Sequence, residues 1–276
     1  MKRLLSVLIS ALLLCSCGSH YEVRTDLSVY FSNADEVVER IREAMLKNRT
    51  VSIAYTSHGN NMSDIEAVVA DLMSCVYDET DDPREGDYLR CRCSGYEMDY
   101  SYTKDSGSFE YTINISPSYI TTPKQEALVD EAVKDIVSGV SGSEYDRVRE
   151  VCEYLKDTVR YDKTAAKSES NKLKSSAYAA IVQHTAACRG YSAAAYRLLR
   201  ECGIAVRVVT GTVTLPDGST ENHSWNIVCI DGSWYNMDIT WDDQLGCEDY
   251  FLKSDSDIPD HKTDKEIQPI SKESYK

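Results

Sequence analysis

The stretch TAACRGYSAAAYRLL, Thr185 to Leu199, sets one cysteine between two alanines and an Arg-Gly pair. Ala, Tyr and Leu follow Cys188 at helical spacing, and the run closes near Gly203, a natural C-terminal cap. The thiol therefore stands where a helix begins. Free cysteine is among the most buried residue types, so packing is one reading of Cys188. The other reading is chemical. The first turn of a helix offers unpaired N–H groups and partial positive charge, which favour thiolate over thiol.

Working outward, helices precede the thiol and strands follow it. TTPKQEALVDEAVKDIVSGV opens on a capping pattern, Thr122-Pro123 followed by Glu126, and ends at Gly139. SEYDRVREVCEYLKDTVRYD spaces Val148, Val151, Cys152, Leu155 and Val159 as one helical face. A polar loop over 163–174 leads to the thiol. After Gly203, AVRVVTGTVTL, HSWNIVCI and SWYNMDITW read as three strands joined by PDGST and DG turns. Helices followed by an antiparallel meander make an α+β fold. Farther out, ADEVVERIREAMLKN and MSDIEAVVADLMSCVYD read as helices. TVSIAY and the segments 87–98 and 108–115 read as strands of a separate small α/β unit ending near Ser116-Pro117. The last fifteen or so residues read as disordered.

A cysteine nucleophile needs a base within hydrogen-bond reach and a group that fixes the tautomer of that base. The chain offers His20, His58, His184, His223 and His261. The Asp231-Gly232 turn selects among them. A two-residue loop sets Ile230 opposite Ser233, Trp225 opposite Asp238 and His223 opposite Thr240. His223 and Asp238 then lie diagonally on one face, within reach of each other. A three-residue loop would place them on opposite faces. Aspartate is also uncommon within a strand, so Asp238 needs a reason for its place. His184 reads as a solvent-facing turn residue and His261 as part of a polar tail. Arg189 could stabilise a thiolate, meet a substrate carboxylate or simply face solvent. The Cys188 backbone N–H is the first oxyanion donor, with Tyr178 or Gln183 as candidates for a second. Trp225, Trp241 and Tyr191 read either as core aromatics or as walls of a peptide groove.

Three segments, SAYAAIVQHTAACRGYSAAAYRLLRECGI, GTVTLPDGSTENHSWNIVCIDGSWYNMDITWDD and YFLKSD, together resemble the transglutaminase-like superfamily. The likeness is to its bacterial branch, with the pattern Cys-x-Gly-Tyr-(Ala/Ser), His-(Ala/Ser)-Trp-Asn and Asp-(Val/Ile)-Thr-Trp over roughly 175–253. The resemblance implies Cys188 as nucleophile, His223 as base and Asp238 as orienting carboxylate. It implies a papain-like, transglutaminase-like core, a helix-borne cysteine packed on a small antiparallel sheet, over 119–276. A small N-terminal α/β domain of unassigned role would cover 17–118. The expected activity is hydrolysis or acyl transfer at protein or peptide amides through a thioester, protease-like rather than crosslinking. A surface binding or scaffolding module that keeps the fold without turnover is the alternative.

Lys2, Arg3 and the apolar run Leu4–Leu14 have the form of a secretory signal. Leu14-Cys15-Ser16-Cys17 resembles a bacterial lipobox, which makes 1–16 a lipoprotein signal peptide and Cys17 the lipidated residue. The expected location is extracytoplasmic, on the cell membrane, with lipid as the sole membrane attachment. The whole chain carries 30 basic and 45 acidic residues, a formal net charge of −15. That balance argues against a nucleic-acid partner and against adhesion to anionic lipid. Eight cysteines follow Cys17, but none forms a Cys-x-x-Cys pair, so no zinc ribbon is expected. The acidic segment 78–87 lacks the spacing of a calcium loop. The expectation is a monomer with no metal and no organic cofactor, acting on a protein or peptide substrate.

Overall fold

Strand β1 (Val51–His58) shows the two-residue alternation of a half-buried strand, with Val51, Ile53 and Tyr55 inward and Ser52, Ala54 and Thr56 outward. This computed structural model describes residues 27–59, 61–166 and 171–276. The expected signal peptide and Cys17 lie outside the described residues. The chain divides into two compact units, with the boundary between Tyr119 and Ile120. No helix among the described residues is long and apolar enough to cross a membrane.

In the first unit β1 pairs antiparallel with β3 (Ser108–Tyr119), which pairs with β2 (Cys93–Asp105). Helices α1 (Ala34–Leu46) and α2 (Ile65–Val76) supply the apolar stripes that cover the inward side chains of the sheet, among them Ile41, Met45, Val69 and Leu72. The expected strand start at residue 87 is corrected. Gly86–Cys91 is a short helix, α3, and β2 begins at Cys93. Tyr88, Leu89 and Cys91 are all buried, a pattern that one helical turn satisfies and strict alternation does not.

The second unit opens with α4 (Pro123–Val137) and α5 (Glu144–Thr158), both started by capping boxes. In α4 the box pairs Thr122 with Gln125, whereas Glu126 is buried and accepts from Thr121. The two-residue strand β4 (Arg160–Tyr161) follows, then α6 (Lys163–Ala166) and α7 (Ala177–Ile181). Strand β5 (Thr185–Ala186) pairs in parallel with β4, Tyr161 opposite Ala186. Helix α8 (Cys188–Glu201) begins two residues later. Strands β6 (Val206–Thr214), β7 (Thr220–Ile230), β8 (Ser233–Met237) and β9 (His261–Thr263) form an antiparallel sheet in the order β8-β7-β6-β9. Helix α9 (Ile239–Leu245) follows β8. The fold is α+β with antiparallel sheets in both units.

Helix α8 is the centre of this unit. Every residue from Gly190 to Leu199 is buried, because β6 and β7 cover one side of the helix while α4, α5, α7 and α9 cover others. Its N-cap, Ala187, has no side chain that could cap the first turn. Burial of Leu198 and Leu199 alone stabilises by about 1.5–3 kcal/mol each. That outweighs the ~1 kcal/mol a capping side chain would add. The N–H groups of Gly190 and Tyr191 donate to the Ala187 carbonyl, and the Cys188 N–H before them has no capping side chain from Ala187.

Two further expectations are corrected. The third strand of the meander stops at Met237 instead of running through Trp241. The last residues are ordered against the unit: β9 pairs with β6, the Ser271 N–H donates to Trp234, and the Tyr275 N–H donates to Leu252.

Candidate active site

Cys188 is the first residue of α8 and is partly exposed, as is Arg189, unlike the buried run from Gly190 to Leu199. What holds it there is a tight crossing of backbone. A Cβ on Gly190 would meet the Ala186 Cβ and the Lys174 carbonyl oxygen, each at 2.7 Å. Glycine at this position therefore lets the chain before α7 pass against the start of α8. The Ala187 N–H donates to the same Lys174 carbonyl at 2.9 Å. Tyr191 fixes the first turn from the other side, its hydroxyl bonded to the Val159 carbonyl at 2.9 Å and to Asp243 Oδ2 at 2.7 Å.

His223 lies inside β7, opposite Gly211 of β6. The β7–β8 register is the one the DG turn specifies, Ile230 with Ser233 through Asn226 with Met237. Asp238 then leaves the sheet. It is the N-cap of α9, and its Oδ1 accepts from the backbone N–H groups of Thr240 and Trp241 at 3.0 and 3.2 Å. This is the reason an aspartate ends a strand here: its side chain starts a helix. Its other oxygen, Oδ2, remains at the diagonal position and meets His223 Nε2 at 2.7 Å.

Both partners are almost fully buried, with side-chain exposures of 5% for His223 and 1% for Asp238. Burial alone would push the His223 ring down. The Asp238 carboxylate first, and Cys188 after it, outweigh it and raise the ring to about 10. Burial acts upward on Asp238, but the His223 and His261 rings outweigh it and hold the carboxyl well below its usual range. The ring of His223 is thus joined to a carboxylate fixed by the next helix, and Cys188 at the start of α8 is among the groups that act on it. Burial pushes the Tyr161 phenol of β4 up, and Cys188 adds to the rise.

The segment after His223 ties sheet to helix. Ser224 Oγ shares a 2.7 Å hydrogen bond with Ser192 Oγ on α8 and reaches the Val209 carbonyl at 3.1 Å. Asn226 Nδ2 donates to the Ser192 and Arg207 carbonyls. Trp225 is 1% exposed and donates to Asn236 at 3.0 Å. Trp225 and Tyr191 are therefore core side chains, while Trp241 is half-buried beside the histidines.

The sequence reading missed His261. Far from lying in a loose tail, it heads β9, and its Nε2 lies 3.0 Å from Asp238 Oδ2. The available signal was weak: three residues, His261–Thr263, without an apolar alternation. A structural cue sits at Gly211, where a Cβ would meet the Lys262 carbonyl at 2.1 Å and Trp225 at 2.9 Å. Glycine there admits β9 to the sheet edge. His184 sits in the turn before α8, exposed and with φ of 54°, and Gln183 beside it is also exposed. Tyr178 is half-buried in α7.

The nitrogens of His223 and His261 and an Asp238 oxygen lie within 4.8 Å of one another. Contacts of 2.7 and 3.0 Å are hydrogen-bond distances that protons account for, so the trio reads as a hydrogen-bonded set rather than an ion cage.

Residues 130–239 match the family model described as the transglutaminase-like superfamily, a span that contains Cys188, His223 and Asp238. Among solved structures, a TGase aligns at 21% identity over 51% of this chain and 43% of its own, with a TM-score of 0.37. A candidate cysteine protease from Cytophaga hutchinsonii aligns at 16% identity over 51% of this chain and 61% of its own, with a TM-score of 0.32. The alignments thus span less than two thirds of either protein. No curated protein matches the chain.

Proposed function

We propose, on the premise that residues 130–239 form a transglutaminase-like domain, that this protein is a cysteine-dependent hydrolase or acyltransferase acting on protein or peptide amides. The observation that carries the reading is the His223 ring, bonded to Asp238 at 2.7 Å and raised by Asp238 and by Cys188 at the start of α8. In the reacting form the thiol proton resides on His223, and the sulfur attacks the amide carbonyl carbon. The oxyanion develops beside the Cys188 backbone N–H, which has no acceptor within the helix. His223 gives its proton to the departing nitrogen, the C–N bond breaks, and a thioester remains on Cys188. Water then attacks the thioester while His223 takes one of its protons, and the carboxylic acid leaves as the thiol re-forms. Asp238 keeps the ring in one orientation and balances its charge.

Hydrolysis is the favoured outcome over amine transfer, because water is always at hand and no feature of the sequence marks a tunnel for a lysine. The test is incubation with casein and a fluorescent primary amine, beside a Cys188→Ala control. New peptide termini that depend on Cys188 support a peptidase. Incorporated label supports acyl transfer. No turnover of either kind, with a thiol that an alkylating probe labels no faster than Cys152, points to a binding or scaffolding module.

The reading includes an extracytoplasmic, lipid-anchored location, supported by the apolar run Leu4–Leu14 and by Cys17 within its lipobox-like setting. Incorporation of labelled palmitate that disappears in Cys17→Ala would support it, and incorporation that persists would remove it.

A further inference from the structure

His261 is a buried titratable group that the reaction scheme above leaves unused. Its side chain is 1% exposed, and both ring nitrogens face carboxylates. Nε2 lies 3.0 Å from Asp238 Oδ2, and Nδ1 lies 2.9 Å from Asp260 Oδ1. A carboxylate only accepts, so each contact is a hydrogen bond when the ring nitrogen carries a hydrogen. Asp260 is itself held, because the Tyr250 hydroxyl donates to its Oδ2 at 2.7 Å. Aromatic rings enclose the imidazole, with centroids of Trp241 at 4.8 Å, Trp225 at 5.1 Å and Tyr250 at 5.2 Å.

The consequence falls on Asp238. Its Oδ1 receives two backbone N–H groups, and its Oδ2 receives two imidazoles. Four donors fill the four acceptor sites of the carboxylate. Without His261, Oδ2 would be held by His223 alone. That is the ring that must turn between the sulfur and a departing nitrogen. With His261 in place, Oδ2 keeps a second, stationary partner anchored through Asp260 to Tyr250.

We propose that His261 is a positioning residue for the His223–Asp238 pair, donating to the same carboxylate oxygen that His223 meets. It acts through Asp238 and not on substrate. The proposal rests on the reading of Cys188 as nucleophile.

The alternative is that the ring serves packing alone, and two variants of the full chain separate the readings. His261→Gln keeps an N–H donor in nearly the same place. His261→Phe keeps an aromatic ring and loses the donor. Positioning predicts that Phe lowers kcat by about 10- to 100-fold with KM within about twofold, and that Gln recovers most of the loss. Packing predicts that Phe is at least as active as Gln, and that result would overturn the proposal. A second readout is free of substrate: the rate at which iodoacetamide alkylates Cys188 near neutral pH. Here Phe is expected to slow labelling about tenfold and Gln to leave it near wild type. Wild-type Cys188 that labels no faster than Cys202 would defeat the nucleophile reading itself. Fast wild-type labelling with an equally fast Phe variant would defeat only the role of His261. If His261→Phe does not fold by circular dichroism, Asp260→Ala takes its place. It is expected to lower kcat about fivefold at unchanged KM by freeing the ring, and an unchanged kcat would overturn the proposal.

Discussion

Ser192 on α8 and Ser224 on β7 share a hydrogen bond of 2.7 Å, buried on both sides. Ser224 follows His223 directly, and Ser192 lies one turn beyond Cys188. This contact therefore sets the distance between the helix that carries the sulfur and the strand that carries the imidazole. The hydroxyl of Ser224 has a structural use here, since it also reaches the Val209 carbonyl. Ser224→Ala should cost about 1 kcal/mol of stability, read by thermal or urea unfolding. Because the two hydroxyls share one bond, Ser192→Ala/Ser224→Ala should cost less than the sum of the two single changes. Strict additivity would show that the contact is not coupled.

Asp238 does two jobs with two oxygens, and two substitutions separate them. Asp238→Asn keeps an oxygen for the N–H groups of Thr240 and Trp241, so α9 keeps its cap. Its amide N–H groups would face two imidazoles that also donate. Turnover should fall by about 10⁴-fold while the fold persists. Asp238→Ala removes the cap as well and should unfold about 1 kcal/mol more easily than Asp238→Asn. Equal stability of the two variants would mean that the capping bonds contribute nothing.

The pH dependence follows from two opposed shifts. The His223 ring is raised from 6.5 to about 10 in the folded chain, with burial working against the rise and Asp238 and Cys188 producing it. Its stabilising contribution is complete below about 6.5 and is lost as pH climbs through about 10. Asp238 is shifted the other way, below its ordinary 3.8, so its contribution is present above that value and disappears on acidification. The ionisable groups facing His223 are Cys188, Asp238 and, across the ring contact, His261. Unfolding midpoints measured from pH 5 to pH 10 should decline at the alkaline end, and His223→Gln should flatten that decline. The alkaline limb of kcat/KM should fall in the same range.

Gly190 permits the close passage of Lys174 and Ala186 against the nucleophile's helix. The atoms a new methyl would meet are backbone and a buried Cβ, so they have little room to yield. Gly190→Ala should destabilise by about 1–3 kcal/mol and reduce activity further by shifting Cys188. A fully active, equally stable Gly190→Ala protein would show that the crossing can relax.

Much of the molecule was legible in the linear chain. Apolar spacing marked α1, α2, α4, α5 and α8, because each buries one continuous face or, for α8, nearly all of it. The DG turn fixed the β7–β8 register, and the placement of His223 and Asp238 on one face followed from it. Periodicity could not see where that strand would end. Asp-Ile-Thr-Trp reads equally as strand or as a capped helix, and the choice came from Asp238 accepting two backbone N–H groups. Likewise the run 87–91 became helical because Tyr88, Leu89 and Cys91 all found cover together.

From the chain alone came the α+β class, the position of a thiol at a helix start, and the pairing of one imidazole with one carboxylate. Those follow from local rules, the 3.6-residue turn, the two-residue pleat and the geometry of a tight hairpin. His261 came from the tertiary structure alone. Its β9 strand is three residues long and has no pattern of its own. It acquires a place only because Gly211 leaves room at the sheet edge and because Asp238 and Asp260 offer acceptors to both ring nitrogens. Partners 23 residues away in the chain are chosen by packing, and no local periodicity encodes them.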